Sequence, residues 1–257
     1  MRTLQTNGLT PPALAIAITL CEKGLDFEFV AHDWRDTPTA LEPFGDRLEL
    51  TNSLEGEFPI LVDGDVAVSD SFFVLEYLDD KYPTPPLKPD DAFGQWQVQA
   101  FARFLGERAS PAVSTLGVAQ RFAGHEAVDD AIAAFTGASI LPSERRDAWT
   151  QALRGPQDDS LITESRRQLD LLVQRIEKAL ADNGGPWLLG ERYTLADIGA
   201  YALAHPFIDG RLEAGDIVFG RMVRDWHGRA DARPAVRNAV ALREPAFRPG
   251  PEHSRWG

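Results

Sequence analysis

A chain of 257 residues, 44% hydrophobic and 25% charged, is long enough to bury one large or two modest cores. Its formal charge of −13 repels phosphate backbones and argues against a nucleic-acid partner. No apolar run approaches the ~20 residues of a membrane-spanning helix, and the first residues lack a signal peptide's apolar stretch, so no membrane partner and a cytoplasmic location are expected. The single cysteine excludes a disulfide framework or a Cys-rich zinc centre, and the five histidines show no paired zinc spacing, so no metal is expected.

In chain order, residues 2–6 read as a short strand. The turn Asn7-Gly8-Leu9-Thr10-Pro11-Pro12 opens a helix, because proline costs nothing in a first helical turn. That helix runs to Lys23, stops at Gly24 and is apolar nearly all round, hence buried. Cys21, near its C-terminal end, reads as core packing. Leu25 to Val30 alternates polar with apolar and predicts a second strand. A weak helix is expected between Thr37 and Leu48, then a loop containing Thr51, Asn52 and Ser53. Ile60–Val62 and Val66–Val68 flank an Asp-Gly turn and predict a hairpin. Pro59 stands at its entrance, where a residue without an N–H is tolerated and where a cis peptide can expose the N–H and C=O of Phe58. Ser69, Asp70 or Ser71 caps the next helix, whose apolar positions are Phe72, Leu75 and Leu78, with Phe73 as a further candidate. Free N–H groups and a hydroxyl at that helix start suit a carboxylate.

The β-α-β-α-β-β-α order over residues 1–82 is thioredoxin-like. Residues 83–89, Pro83-Thr84-Pro85-Pro86-Leu87-Lys88-Pro89, are too proline-rich for helix or central strand and read as a linker. Residues 90–257 predict only helices. Asp90 or Asp91 caps one that ends near Pro111; Val113 to Phe122, Val128 to Phe135 and Arg145 to Leu153 follow. Leu161 to Ala181 carries Leu169, Leu172, Val173, Ile176 and Leu180 at core spacing. Thr194 and Asp197 form an acidic capping box ahead of Ile198, Tyr201, Ala202 and Phe207. Val218 to Trp226, Ala235 to Leu242 and a surface tail from 245 complete the chain.

Phe58-Pro59, the Asp-Gly turn, Asp70-Ser71 and the helix after them, together with Trp187-Leu188-Leu189-Gly190 ahead of the Thr194 box, resemble the glutathione transferase family. The resemblance implies an α/β thioredoxin-like N-terminal domain (1–82) followed by an all-α C-terminal domain (90–257), with glutathione as co-substrate. It implies that Phe58, before a cis Pro59, pairs its backbone with the cysteinyl part of glutathione, and that Asp70 and Ser71 hold the γ-glutamyl group. Thr51, Asn52 and Ser53, just upstream of Glu57 and Phe58, lie where the family's loop approaches glutathione and equally read as loop caps; Thr51 and Glu57 are carried as glutathione-binding candidates.

The family generates its thiolate with a Tyr, Ser or Cys near the start of the first helix, assisted by the helix's roughly half-unit of positive charge. Neither Tyr nor Ser occurs between residues 1 and 20, and alignment on Glu22-Lys23-Gly24 puts Ala13 where serine-type members carry their Ser. The remaining donors are Thr10 first, Asn7 second, then Thr6 and backbone N–H groups; Thr10 equally reads as a plain helix cap.

Within the family, Leu20 to Phe27, Leu75 to Pro83 and the long insertion between Gly124 and Asp159 resemble the bacterial β-etherases, which use glutathione to cleave β-aryl ethers of lignin-derived ketones. The alternatives are a general conjugating or isomerising transferase and a non-catalytic glutathione-binding subunit. The family's habit implies a homodimer, or a heterodimer with a paralogue, and a small aromatic substrate. Trp96, Phe101, Phe104 and Phe122 are candidates for its pocket, although their spacing is first a packing signal.

Overall fold

In the computed structural model the described residues are 1–8, 10–32, 58–122 and 159–242, with 133, 147 and 150. The helix expected over 37–48, the loop with Thr51 and Glu57, most of the insertion and the tail lie outside them. Four strands form one sheet: β1 (Arg2–Thr6), β2 (Glu28–Ala31), β3 (Ile60–Asp63) and β4 (Val66–Val68), in the order β2-β1-β3-β4. β1 and β2 are parallel, which requires the crossover helix α1 (Pro11–Glu22) between them; β3 runs antiparallel to both β1 and β4. Asp63 pairs with Val66 across the two-residue turn Gly64-Asp65, and Gly64 takes φ +68°, the left-handed backbone such a turn needs.

α1 is buried along Ala13 to Leu20, in keeping with its nearly uniform apolarity. It packs on β1, on α2 (Ser71–Lys81) and on two C-terminal helices, α6 (Leu195–Ile208) and α8 (Pro234–Val240). Phe73, offered by the sequence as a core position of α2, is 63% exposed. Its neighbours Val74, Leu75 and Leu78 occupy the buried stripe, and residue 73 falls outside that stripe's arc.

The helix expected to stop near Pro111 continues past it. α3 (Ala92–Phe104), capped by Asp91, runs into a π turn at Leu105–Ala109 and then into α4 (Ser110–Phe122). Pro111 is the second residue of α4, directly after the π turn, where the Ser110 N–H reaches back five residues to the Leu105 carbonyl. α5 (Asp159–Asn183) buries Leu169, Leu172, Val173, Ile176 and Leu180 on one stripe, and α7 (Arg221–Asp231) packs on α5 and α6. Every residue of α6 from Leu195 to Phe207 is buried.

The Thr194/Asp197 box forms and does more than cap. Asp197 Oδ2 accepts the Thr194 N–H at 3.0 Å and its hydroxyl at 3.1 Å, while Oδ1 accepts the Leu188 N–H and the Trp226 indole N–H, both at 2.9 Å. Burial pushes this carboxyl up, and the four donors pull it back. One carboxylate therefore joins the Trp187-to-Gly190 lead-in, the start of α6 and α7.

The sheet-bearing half and the helical half are joined by an ion pair and a chain of hydrogen bonds as well as apolar packing. Arg233 Nε and Nη2 grip Glu22 at 2.6 and 2.8 Å, and the guanidinium lies 4.0 Å over the Tyr193 ring. Buried Lys23 meets Asp79 and donates to the Pro85 carbonyl at 2.5 Å; Asp79 accepts the Leu87 N–H at 2.8 Å, and the Leu87 carbonyl accepts the Leu195 N–H at 3.0 Å.

Candidate active site

The end of β1 and the start of α1 make a tight polar corner. The Gly8 carbonyl accepts the Thr6 hydroxyl at 2.5 Å and the Thr10 N–H at 2.8 Å. Thr10 has extended backbone (φ −65°, ψ 160°), and its Oγ1 accepts the Ala13 N–H at 3.4 Å. It caps the helix and keeps its own hydroxyl proton to donate. Thr6 is fully buried, Asn7 and Thr10 half-buried. Ala13 is fully buried and carries no donor; among the described residues of this corner, Thr10 and Asn7 carry half-buried side-chain donors.

Across the sheet, the Phe58–Pro59 bond is cis and both residues are buried. Phe58 stacks on His32, centroids 4.9 Å apart and planes 2° from parallel. His32 continues β2, its N–H bonded to the Thr6 carbonyl at 2.7 Å and its Nε2 2.7 Å from Gln5 Oε1. Because Gln5 Oε1 can only accept, Nε2 carries the proton. The sequence reading gave His32 no site role. The available signal was the parallel register, which pairs Ala31 with Thr6 and so sets residue 32 beside the corner.

At the start of α2, Asp70 is the N-cap with φ +62° and ψ 94°, a left-handed backbone that is rare outside glycine and clusters at functional sites. Ser71 follows with 1% exposure. The positive end of α2 suits a carboxylate, and the Asp70 carboxylate suits an ammonium. An amino-acid head group presents both.

A cleft of about 650 Å³ opens next to Asp70, between α2 and the α3–π–α4 run. Phe72 and Phe73 form one wall, Ala102, Gly106 and Pro111 the other, with Gln99, Arg103, Glu107 and Ser110 as polar groups. Arg103 is committed to Glu107 at 2.8 Å. Of the aromatics expected to line a pocket, Phe101 is buried core, Phe104 packs edge-on to it under Arg175, and Trp96 is 58% exposed. The Phe122 side chain lies outside the described residues, as do Thr51 and Glu57. Cys21 is half-buried at the far end of α1, with its thiol pushed up by burial and then by Glu22, the reverse of a reactive thiolate.

Residues 11–86 match the family model described as Glutathione S-transferase, N-terminal domain, and residues 129–215 match Glutathione S-transferase, C-terminal domain. Among curated proteins the chain is 29% identical over 249 residues to Protein LigF of Sphingobium sp., covering 90% of this chain and 88% of that protein. Among solved structures it resembles the beta-etherase LigF from Sphingobium sp. strain SYK-6, with a TM-score of 0.75 and 26% identity over 93% of this chain and 98% of the other. A glutathione transferase family member from Pseudomonas fluorescens, crystallised with two glutathione bound, shares the fold at a TM-score of 0.65 and 23% identity, over 93% and 92% of the two chains.

Proposed function

Because this chain belongs to the glutathione S-transferase family and takes glutathione as its co-substrate, we propose that it cleaves β-aryl ether bonds of aromatic ketones such as those derived from lignin. The observation that carries the reading is end-to-end similarity to one β-etherase in both sequence and structure. Matches to other transferases, such as the zeta-class enzyme of Euphorbia esula at 26% identity, keep general conjugation or isomerisation as the second outcome of the test.

Glutathione fits the corner just described. Phe58 offers its main chain beside the cis bond to Pro59, and Asp70 with Ser71 offers paired recognition of the γ-glutamyl ammonium and carboxylate; Thr51 and Glu57 are assigned to the same ligand from the loop. Bound glutathione supplies the nucleophile: a sulfur–carbon bond forms at the β-carbon, the carbon–oxygen bond breaks, and a phenolate leaves. The protein's share is to hold the thiol ionised and aligned. The Thr10 hydroxyl, Asn7 and the positive end of α1 donate toward the sulfur position, which lowers the thiol's pKa. Because a keto group already activates the β-carbon, alignment supplies most of the remaining rate gain, and a modest activator suffices. The Phe72 and Phe73 cleft is assigned to apolar surface near this site, either substrate or the second subunit.

Turnover of a β-aryl ether ketone, followed by phenol release, is the direct test. Phenol and a glutathione thioether in equal amounts are expected. Turnover of a chlorinated nitrobenzene with no phenol release from the ether would favour general conjugation. Binding of glutathione by calorimetry without turnover of either compound would favour a non-catalytic subunit.

We also assign the exposed aromatics Phe73, Phe93 and Trp96 to pairing with a second subunit, either a second copy or a paralogue. Phe93 and Trp96 stack at 5.5 Å, and Trp96 shares a helical face with Gln99 and Arg103 of the cleft, which sets this aromatic pair beside it.

A further inference from the structure

One ring ties the glutathione-gripping helix start to the helical half of the protein. A Cβ placed on Gly106 of the π turn would stand 3.2 Å from Phe72 Cδ2, and one on Gly199 of α6 would stand 2.8 Å from Phe72 Cε1 and 2.9 Å from Leu105 Cδ1. The two edges of the Phe72 ring therefore face two glycines from different elements; a methyl group at Gly199 forces the ring or Leu105 to shift, and one at Gly106 makes a tight contact. Phe72 directly follows Ser71, whose buried hydroxyl stands at the helix start, and Asp70, whose backbone is held at φ +62°. A shift of the ring carries both residues with it, because the first turn of α2 moves as a hydrogen-bonded unit, with the Val74 N–H on the Asp70 carbonyl at 3.0 Å.

We infer that Phe72 is a positioning residue for glutathione: the notch between Gly106 and Gly199 fixes where Asp70 and Ser71 stand, so packing in the helical half sets affinity for the tripeptide. The inference rests on the glutathione site under Proposed function. The π turn takes part through two residues, Leu105 and Gly106, which line the notch directly.

Filling the notch tests this. Gly199→Ala is expected to weaken glutathione binding about tenfold by calorimetry and to raise KM for glutathione by the same factor. Its kcat at saturating glutathione should stay within about twofold of wild type, because the sulfur-side groups on α1 are untouched. Trimming the ring in Gly199→Ala/Phe72→Leu should restore most of the lost affinity, whereas Gly199→Ala/Leu105→Ala should not. Gly106→Ala, at the looser contact, should show a smaller loss in the same direction and serves if Gly199→Ala folds poorly. Unchanged affinity in cooperatively folded Gly199→Ala and Gly106→Ala overturns the inference, and so does rescue by Leu105→Ala instead of Phe72→Leu. No heat of binding with wild type would remove the glutathione site itself, and the inference with it.

Discussion

His205 on α6 and His227 on α7 share one hydrogen bond, Nδ1 to Nε2 at 3.0 Å, inside a stack that Tyr201 completes with centroids 4.9 and 4.7 Å from the two rings. Neutral rings satisfy this contact with one donor and one acceptor; two protonated rings would set N–H against N–H. Burial pushes both imidazoles below the ordinary value, His205 to about 4, although Asp209 and Asp231 pull upward. His205 Nε2 lies 3.4 Å from Asp209 Oδ2, and Tyr201 donates to Asp231 at 2.8 Å.

The sign of the pH effect follows. Both groups bind protons more weakly in the folded chain than in the unfolded one, whose value is near 6.5. Stability is complete above that value and is lost as pH falls toward about 4, at about 1.4 kcal/mol per pH unit for each proton taken up only on unfolding. Urea titrations stepped from neutral to acid pH should show a loss of about 3 kcal/mol from His205 with a further loss in the same direction from His227, and His205→Gln/His227→Gln should flatten that part of the profile. A wild-type profile that stays level through the window contradicts the assignment.

Asp197 supplies the acceptors for four donors in the middle of the helical half. Asp197→Ala strands the Leu188 N–H and the Trp226 indole in a dry interior, at about 4 kcal/mol. Asp197→Asn keeps the shape but turns one oxygen into a donor facing donors, and should cost about 2–3 kcal/mol. Denaturant midpoints at constant slope measure both, and Trp226 fluorescence reports on the same locus.

Thr10→Val and Asn7→Ala separate activation from binding. Each is expected to lower kcat about tenfold and to raise the pKa of bound glutathione's thiol, read from its thiolate absorbance, with calorimetric affinity within a few-fold of wild type. Ser71→Ala should do the opposite, weakening binding about tenfold with little change in thiol pKa. Unchanged rates in both Thr10→Val and Asn7→Ala would hand activation to the backbone N–H groups alone.

Trp96→Asp places a charge on the exposed aromatic face without disturbing the core. Light scattering should then report half the mass of the wild-type particle, while the thermal midpoint of the monomer shifts little. Equal masses for the two proteins would exclude this face as the contact.

The sequence was most informative where local chemistry has one structural solution. The Pro11-Pro12 helix start, the Gly64 turn, the Asp70-Ser71 helix start and the Thr194 box each depend on backbone rules that act within a few residues, and each lies where the spacing predicts. Pro111 was misleading because a stop signal read one residue at a time ignores a π turn immediately upstream. Long-range partners were silent: nothing near Asp197 announces Trp226, 29 residues away, and nothing near Phe72 announces Gly199. Phe73 and Trp96 read as core by hydropathy, yet stand exposed, because a helical stripe has a fixed width and their neighbours fill it. His32 entered the site through strand register, a property of pairing rather than of the residue.

Lys23 has a consequence for how substrates arrive. Its ammonium joins Asp79 to the Pro85 carbonyl, and Asp79 in turn holds Leu87, whose carbonyl is fastened to Leu195. The proline-rich connection is stitched down on both sides, so it works as a seam rather than a hinge. A second substrate would then enter from the rim, since this connection gives the two halves no joint on which to swing apart, and scattering curves of the free and glutathione-saturated protein should superimpose.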